Sequence, residues 1–214
     1  MTTLLQTIRT EPSTFWPGDM VVVIQNDLVA RLQNKLITPH THKFHMAIIA
    51  EYSPLEGDFI IFESTPGSGR GGVSIARLSW YNGMEVQIYR PTNSNHVDGE
   101  VAVWNSTKDG RKHYNFLICA EIGLRVISYC LTHFKPIPYT KFPSASNKTV
   151  ICTMFANDAW KNTIPVFDQR YLPMPANFEQ QLVDGKVKLV GEWKGDKSHG
   201  KYRNGYKPKQ GGKK

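Results

Sequence analysis

"KFHMAIIAEYSPLEGDFIIFEST", residues 43–65, contains two apolar runs separated by a polar segment with a proline and a glycine. Both runs are enriched in β-branched and aromatic residues, and a polar Pro/Gly segment between such runs is typical of a turn. The stretch therefore predicts a hairpin of two strands, over 44–51 and 59–65. One ionisable residue, His45, interrupts the apolar character of the first strand.

Side-chain alternation predicts a polar pair inside this hairpin. Successive residues of a strand point to opposite faces, so His45 shares a face with Ala47. Closing the hairpin brings Glu63 opposite position 45 or 47, where neighbours on one face lie about 4.5–8 Å apart. A carboxylate at that distance can bond an imidazole and fix its tautomer. A lone histidine in an apolar strand is also compatible with a packed core residue, and Glu63 alone with a surface charge.

The remaining pattern predicts an α+β fold with a mainly antiparallel sheet, because strands come first, helices follow and one strand comes late. Besides the hairpin, the predicted strands cover 20–25, 73–78 (at a sheet edge) and 84–91, with a last strand before Trp193. The predicted helices cover 27–37, part of 99–109, 114–133 as a buried helix, 149–162, and a short segment after Leu172.

Charge divides the chain into two parts. The 214 residues carry a formal net charge of +8. Residues 191–214 hold eight Lys/Arg against two acidic residues, a net of +6, and have no periodicity. This pattern predicts a domain over 1–190 and a basic, disordered tail over 191–214 that can contact an anionic polymer or surface. Tyrosines lie between the basic residues of the tail and could stack on bases, so nucleic-acid binding by the tail is an alternative.

Targeting signals are absent from the sequence pattern. No apolar run approaches the roughly 18 residues of a transmembrane helix. The N-terminal residues lack a basic segment followed by an apolar one, so no secretory signal is predicted. We therefore expect a cytoplasmic protein by default, and a role outside the cell would require lysis or carriage in a virion.

The three cysteines, Cys119, Cys130 and Cys152, differ in their predicted surroundings. An odd number without a secretory signal argues against a disulfide framework, and no C-x-x-C pair indicates a zinc site, so no metal or cofactor is expected. Cys119 and Cys130 lie inside an apolar helix, where thiols are inert. Cys152 lies near the start of a helix that Thr149 could cap, and a helix N-terminus lowers the pKa of a thiol.

These residues together suggest nucleophilic catalysis. A Cys152 thiolate, a His45 base and a Glu63 carboxylate that orients the imidazole form the set that a cysteine hydrolase needs. His40, His42 and His113 are alternative bases that spacing does not exclude.

Several motifs occur in an order that resembles the permuted NlpC/P60 proteins, and most closely their YiiX/YaeF-like branch of papain-like cysteine amidases. The motifs, over residues 15–185, are "WPGDMVVV", "KFHMAIIAEY", "FIIFEST", "GGVSIARLSWYNGMEVQIYRP", "HYNF", "TVICTMFANDAW" and "LPMPANFEQ". In that family a Pro-Gly-Asp precedes the first strand, a histidine and an acid follow on the next two strands, and the cysteine comes last at a helix start. Two positions depart from the pattern: Phe44 precedes the histidine, and Thr153-Met154 follow the cysteine.

The resemblance implies a circularly permuted papain-like fold with Cys152 as nucleophile, His45 as base and Glu63 as orienting residue. It implies hydrolysis of an amide or ester bond, in peptidoglycan peptides of the cell wall or in an acyl lipid. The alternative is a non-catalytic binding or structural module on the same fold, for example a component of a viral particle.

Overall fold

The computed structural model describes residues 3–24, 28–65, 72–108, 116–143 and 151–195. Of the predicted basic tail over 191–214, the residues beyond Gly195 lie outside the described residues. Within the described ranges the helices are α1 (Leu4–Thr10), α2 (Leu28–Leu36), α3 (His96–Lys108), α4 (Phe116–His133), α5 (Cys152–Trp160) and α6 (Pro175–Val183). The strands in these ranges are β1 (Met20–Ile24), β2 (Ile37–Thr38), β3 (Lys43–Ser53), β4 (Asp58–Thr65), β5 (Gly72–Arg77), β6 (Glu85–Pro91), β7 (Ile137–Pro138) and β8 (Val187–Trp193).

Among the described residues, six strands form one sheet in the order β5-β4-β3-β1-β6-β8, and all neighbouring pairs in it are antiparallel. β2 and β7 form a separate two-stranded parallel pair. The α+β class with a mainly antiparallel sheet is thus confirmed. The predicted strand over 73–78 corresponds to β5, which is an edge strand of the sheet formed by the described residues.

Both faces of the central strands are buried, because residues that alternate along them enter different core clusters. Val21 and Ala47 belong to the first core cluster, which contains α1 and the end of β8. Met20 and Met46 belong to the second core cluster, which contains α5. Every residue of α5 from Thr153 to Trp160 is buried, so this helix lies at the centre of the fold.

The first and last described elements meet in the first core cluster. α1 contributes Leu4 and Ile8, and β8 contributes Trp193. The indole N–H of Trp193 also donates to the Thr7 hydroxyl at 3.0 Å. The sequence pattern did not predict α1, because a seven-residue helix is too short to show a clear periodicity.

The Pro-Gly-Asp turn before β1 is held by a buried ion pair. The Asp19 carboxylate accepts bonds from the Arg90 guanidinium at 2.7 and 2.8 Å and from the Trp16 backbone N–H at 2.8 Å. The Arg90 guanidinium also lies 3.7 Å from the centre of the Trp16 ring. Because Asp19 and Arg90 are 1% and 8% exposed, their charges are shielded from solvent and depend on each other.

Two glycines let this turn pack against α3 and α5. Gly18 has φ +85°, and a Cβ there would lie 2.7 Å from the Gly99 Cα. A Cβ on Gly99 would lie 2.0 Å from the Pro17 carbonyl oxygen. The Gly18 carbonyl accepts a bond from the Trp160 indole N–H at 2.9 Å. The backbones are therefore close enough to exclude any side chain at either glycine.

The prediction that 114–133 is a buried helix was right about the helix and wrong about its burial. α4 packs into a third cluster through Ile118 and Val126, which are 8% and 6% exposed. The opposite side of α4 is exposed although it is rich in leucine. Apolar residues occur on both sides of the helix, and hydrophobicity alone does not reveal which side is covered. Over the described part of the chain, no helix is both long and apolar enough to cross a bilayer.

We expect Gly99→Ala to destabilise the protein by about 2 kcal/mol or more, because its methyl group would overlap the Pro17 carbonyl. The midpoint of urea unfolding measures the change. Gly123→Ala in α4 is the matched control, since a Cβ there meets nothing within 4 Å. It should stabilise by up to about 1 kcal/mol through helix propensity. Equal midpoints for the two variants would contradict the close contact.

Candidate active site

The β3–β4 hairpin brings His45 and Glu63 together. Ala47 pairs with Glu63 in the ladder, and His45 lies two residues before Ala47. His45 Nε2 lies 2.9 Å from Glu63 Oε2. The two residues are 8% and 6% exposed. The structure thus contains the predicted contact of a carboxylate with the imidazole, and the contact is shielded from solvent.

A third residue, Tyr81, completes the surroundings of Glu63. It ends the 3₁₀ turn Leu78–Tyr81 that follows β5. Its hydroxyl donates to Glu63 Oε2, the same oxygen that bonds His45. Tyr81 was not predicted from the sequence, because a residue in a short turn between strands leaves no periodic signal. Two donors on one carboxylate oxygen fix the rotamer of Glu63.

Cys152 is the first residue of α5, and Ile151 occupies the N-cap position without a side-chain cap. The helix therefore begins three residues later than the predicted start, and the proposed cap, Thr149, lies outside the described residues. The next residue, Thr153, anchors the first turn, because its hydroxyl donates to the Pro173 carbonyl at 2.6 Å. Cys152 itself keeps intermediate exposure, unlike its buried partner His45.

The pKa values of Cys152 and His45 depend on each other. Burial raises the pKa of the Cys152 thiol, but a hydrogen bond from His45, the charge of His45 and backbone bonds from Met46 and Thr153 lower it overall. Burial lowers the pKa of His45, whereas its bonds to Cys152 and Glu63 raise it to about 10. Between these two pKa values the stable form is a thiolate beside an imidazolium.

Glu63 stays ionised in this arrangement. Burial raises the pKa of its carboxyl, but the hydrogen bond and charge of His45, together with the bond from Tyr81, lower the pKa below its usual value. His45 Nε2 bonds Glu63, and the His45 side chain also bonds Cys152. The order of contacts is therefore Tyr81, Glu63, His45 and Cys152.

The alternative bases make other contacts. His40 and His42 are both exposed. The His40 ring bonds the Asn34 carbonyl, and His42 Nε2 lies 2.8 Å from Asn34 Nδ2. The third alternative, His113, lies outside the described residues. Of the other cysteines in α4, Cys119 is exposed and Cys130 is half-buried, so their predicted burial in apolar surroundings was wrong for Cys119.

A cavity of about 450 Å³ opens beside the first residue of β3, and its lining does not include Cys152, His45 or Glu63. It is lined by Ile24, His40, Thr41, His42, Lys43, Glu85 and Glu179. The Lys43 ammonium and the Thr41 hydroxyl both bond Glu179 Oε2, at 2.7 and 3.0 Å. Much of the charge in this cavity is therefore already paired within the protein.

The described residues contain no group of three or more His, Cys, Asp or Glu side chains arranged to hold a metal ion. No protein-family model matches the chain, and no curated protein matches it either. The geometry of Cys152, His45 and Glu63 is therefore the main observation from which a function can be argued.

We expect Cys152 to react with iodoacetamide at about pH 6 at least about tenfold faster than Cys119, because an ordinary thiol is almost fully protonated there. The rate should fall as the pH drops through the lowered pKa of Cys152. It should hold a plateau up to about 10, where His45 loses its proton. Peptide mass spectrometry after short labelling times measures each site separately. Equal, slow labelling of all three cysteines would contradict the ion pair.

We expect Glu63→Gln to slow alkylation of Cys152 near neutral pH about tenfold, since loss of the carboxylate charge weakens the support for the imidazolium. Tyr81→Phe should slow it by a smaller factor, because it removes one of two donors to Glu63. The control is Tyr52→Phe, a tyrosine of the same hairpin whose ring packs 4.9 Å from Phe59. If Glu63→Gln reacts at the wild-type rate over about pH 5–9, another group orients the imidazole.

Proposed function

We propose that the protein is a papain-like cysteine hydrolase that cleaves an amide or ester bond. One observation supports this proposal most: a partly exposed Cys152 at a helix start bonds a buried His45, and Nε2 of that His45 bonds an ionised Glu63. A partly exposed thiol can meet a substrate, while buried partners hold the proton in a fixed place.

In the first half of the proposed reaction, the Cys152 thiolate attacks the carbonyl carbon of the substrate. The tetrahedral oxyanion accepts a bond from the Cys152 backbone N–H, because the first N–H groups of a helix point out of its N-terminal end. The His45 imidazolium then gives its proton to the leaving nitrogen or oxygen. The bond to the leaving group breaks, and the acyl group remains on the sulfur as a thioester.

In the second half, neutral His45 takes a proton from water while the water oxygen attacks the thioester carbonyl. The carbon–sulfur bond breaks, a carboxylic acid leaves, and the thiolate–imidazolium pair forms again. Glu63 keeps its negative charge throughout and stabilises the imidazolium in each half. Tyr81 acts through Glu63 as a positioning residue.

The permuted NlpC/P60 assignment is part of this proposal. Support comes from the chain order of His45, Glu63 and Cys152, and from an antiparallel sheet that packs against a helix beginning at the cysteine. The substrate class that follows is a peptide amide of the cell wall or an acyl lipid. In this view the Asp19–Arg90 pair is structural, since both side chains are buried away from solvent.

We expect the protein to release nitrophenolate from p-nitrophenyl acetate with a burst of about one equivalent, followed by steady turnover. Intact-mass spectrometry should find one acetyl group, on Cys152. Cys152→Ala should lower kcat/KM by about a thousandfold or more, while a Cys119→Ala/Cys130→Ala double variant keeps the wild-type rate. An acetyl group that forms on Cys152 but never turns over would favour the binding-module alternative over a hydrolase.

Two further substrates distinguish the two proposed substrate classes, cell-wall peptides and acyl lipids. Purified peptidoglycan peptides and mixed acyl lipids are incubated with the wild type and with Cys152→Ala, and products are identified by mass. We expect Cys152-dependent cleavage of only one of the two. Cleavage of neither, together with full activity on the nitrophenyl ester, would reject both substrate classes without rejecting the hydrolase.

A further inference from the structure

The outer side of α4 carries a continuous apolar stripe, the α4 seam. Its members recur at alternating spacings of three and four residues: Leu117, Ala120, Leu124, Ile127, Leu131 and Phe134. This is the a/d spacing of a heptad repeat, with an average period of about 3.5 residues. All six residues are exposed. A stripe with this period packs best against another helix.

The α4 seam is distinct from the side that anchors α4 to the domain. Ile118 and Val126 point into the third core cluster, on the opposite side of the helix from the seam. The large seam residues remain 56–91% exposed: Leu117 83%, Leu124 70%, Ile127 56%, Leu131 68% and Phe134 91%. Single exposed apolar residues are ordinary on a protein surface, but a contiguous stripe of this kind marks an interaction site.

The end of the seam is held in an unusual conformation. Phe134 has a positive φ of 53°, rare for a bulky residue, and its backbone N–H donates to the Cys130 carbonyl at 2.9 Å. This backbone closes α4 and leaves the phenyl ring in solvent. A glycine would close the helix more readily, so the aromatic side chain at this position is better explained by a partner that covers it.

Charge favours a second copy of the chain as that partner. The seam has no charged member, and the one acidic residue of α4, Glu121, pairs with its one arginine, Arg125, at 2.7 Å. Two such surfaces meet without like-charge repulsion. An anionic membrane would instead favour lysines and arginines along the flank, and a strongly charged partner would find no complement here.

The available area also fits a dimer. Full burial of one such side chain removes on the order of 60–120 Å² of apolar surface. The five large seam residues are about three-quarters exposed on average, so two seams together would remove on the order of 450–900 Å². With an apolar share of about 65%, the whole interface would be roughly 700–1,400 Å². That range includes the approximately 1,000 Å² of a specific, weak to moderate interface.

We propose that two copies of the protein associate through their α4 seams in antiparallel orientation. That orientation pairs Leu117 with Phe134 of the second copy, Ala120 with Leu131 and Leu124 with Ile127. The small Ala120 then lies across from a large leucine, whereas a parallel pair would place Ala120 against Ala120 and leave a gap. This inference does not depend on the proposed hydrolase activity.

Light scattering during size-exclusion chromatography tests the association over protein concentrations up to about 100 µM, a range that covers weak interfaces. We expect a concentration-dependent dimer for the wild type and a monomer for Leu124→Lys and for Ile127→Glu. The matched control is Val183→Lys, at a helical position that is 75% exposed at the end of α6; it should keep the dimer. Thermal unfolding of each variant confirms that the fold is retained.

Mixing the two disrupted variants tests the orientation. An antiparallel pair places the new lysine side chain of the Leu124→Lys copy beside the new carboxylate of the Ile127→Glu copy, so the mixture should dimerise although neither variant does alone. A parallel pair places each seam position opposite itself and leaves the lysine against a leucine. A wild type that stays monomeric at every concentration, a mixture that stays monomeric, or a monomer that binds vesicles of neutral phosphatidylcholine through the seam would each overturn the proposal.

Discussion

The register of the β3–β4 hairpin is the constraint on which the site depends. Pairing of Ala47 with Glu63 places the carboxylate within 2.9 Å of the His45 ring. Because side chains alternate, a slip of one residue would turn Glu63 to the other face of the sheet and leave the buried His45 without its carboxylate partner. The same strands carry the apolar residues of both core clusters, so the packing that stabilises the sheet also keeps the two ionisable groups in contact.

The helix that carries Cys152 is positioned from both of its ends. At its start, the Thr153 hydroxyl bonds the Pro173 carbonyl. At its end, Trp160 bonds the Gly18 carbonyl in the turn that the Asp19–Arg90 pair holds. A sulfur on a helix fixed in this way has little freedom relative to the strand that bears His45. The fixed position matters because both the pKa of Cys152 and the path of the proton depend on the sulfur–imidazole contact.

Much of this arrangement follows from local patterns in the sequence. A period of two predicts that His45 and Glu63 share a face, and the short turn between them predicts their contact. Tyr81 could not be found in that way, because its position depends on how a 3₁₀ turn folds over the hairpin rather than on periodicity. The exposure of α4 escaped prediction for a related reason: its sequence specifies an apolar helix, while tertiary packing decides which side is covered. The exact start of α5 is equally a matter of tertiary context, since no capping side chain marks it.

The contact between α1 and Trp193 has a consequence for folding during translation. Leu4 and Ile8 are synthesised long before Trp193, whose indole joins them in the first core cluster. β6 likewise waits for β8 before its outer edge is paired. The first core cluster therefore cannot close during most of translation, and the nascent chain presents an unfinished apolar surface until residue 193 has left the exit tunnel. Chaperones that bind such surfaces have their longest opportunity at the segment that contains Leu4 and Ile8.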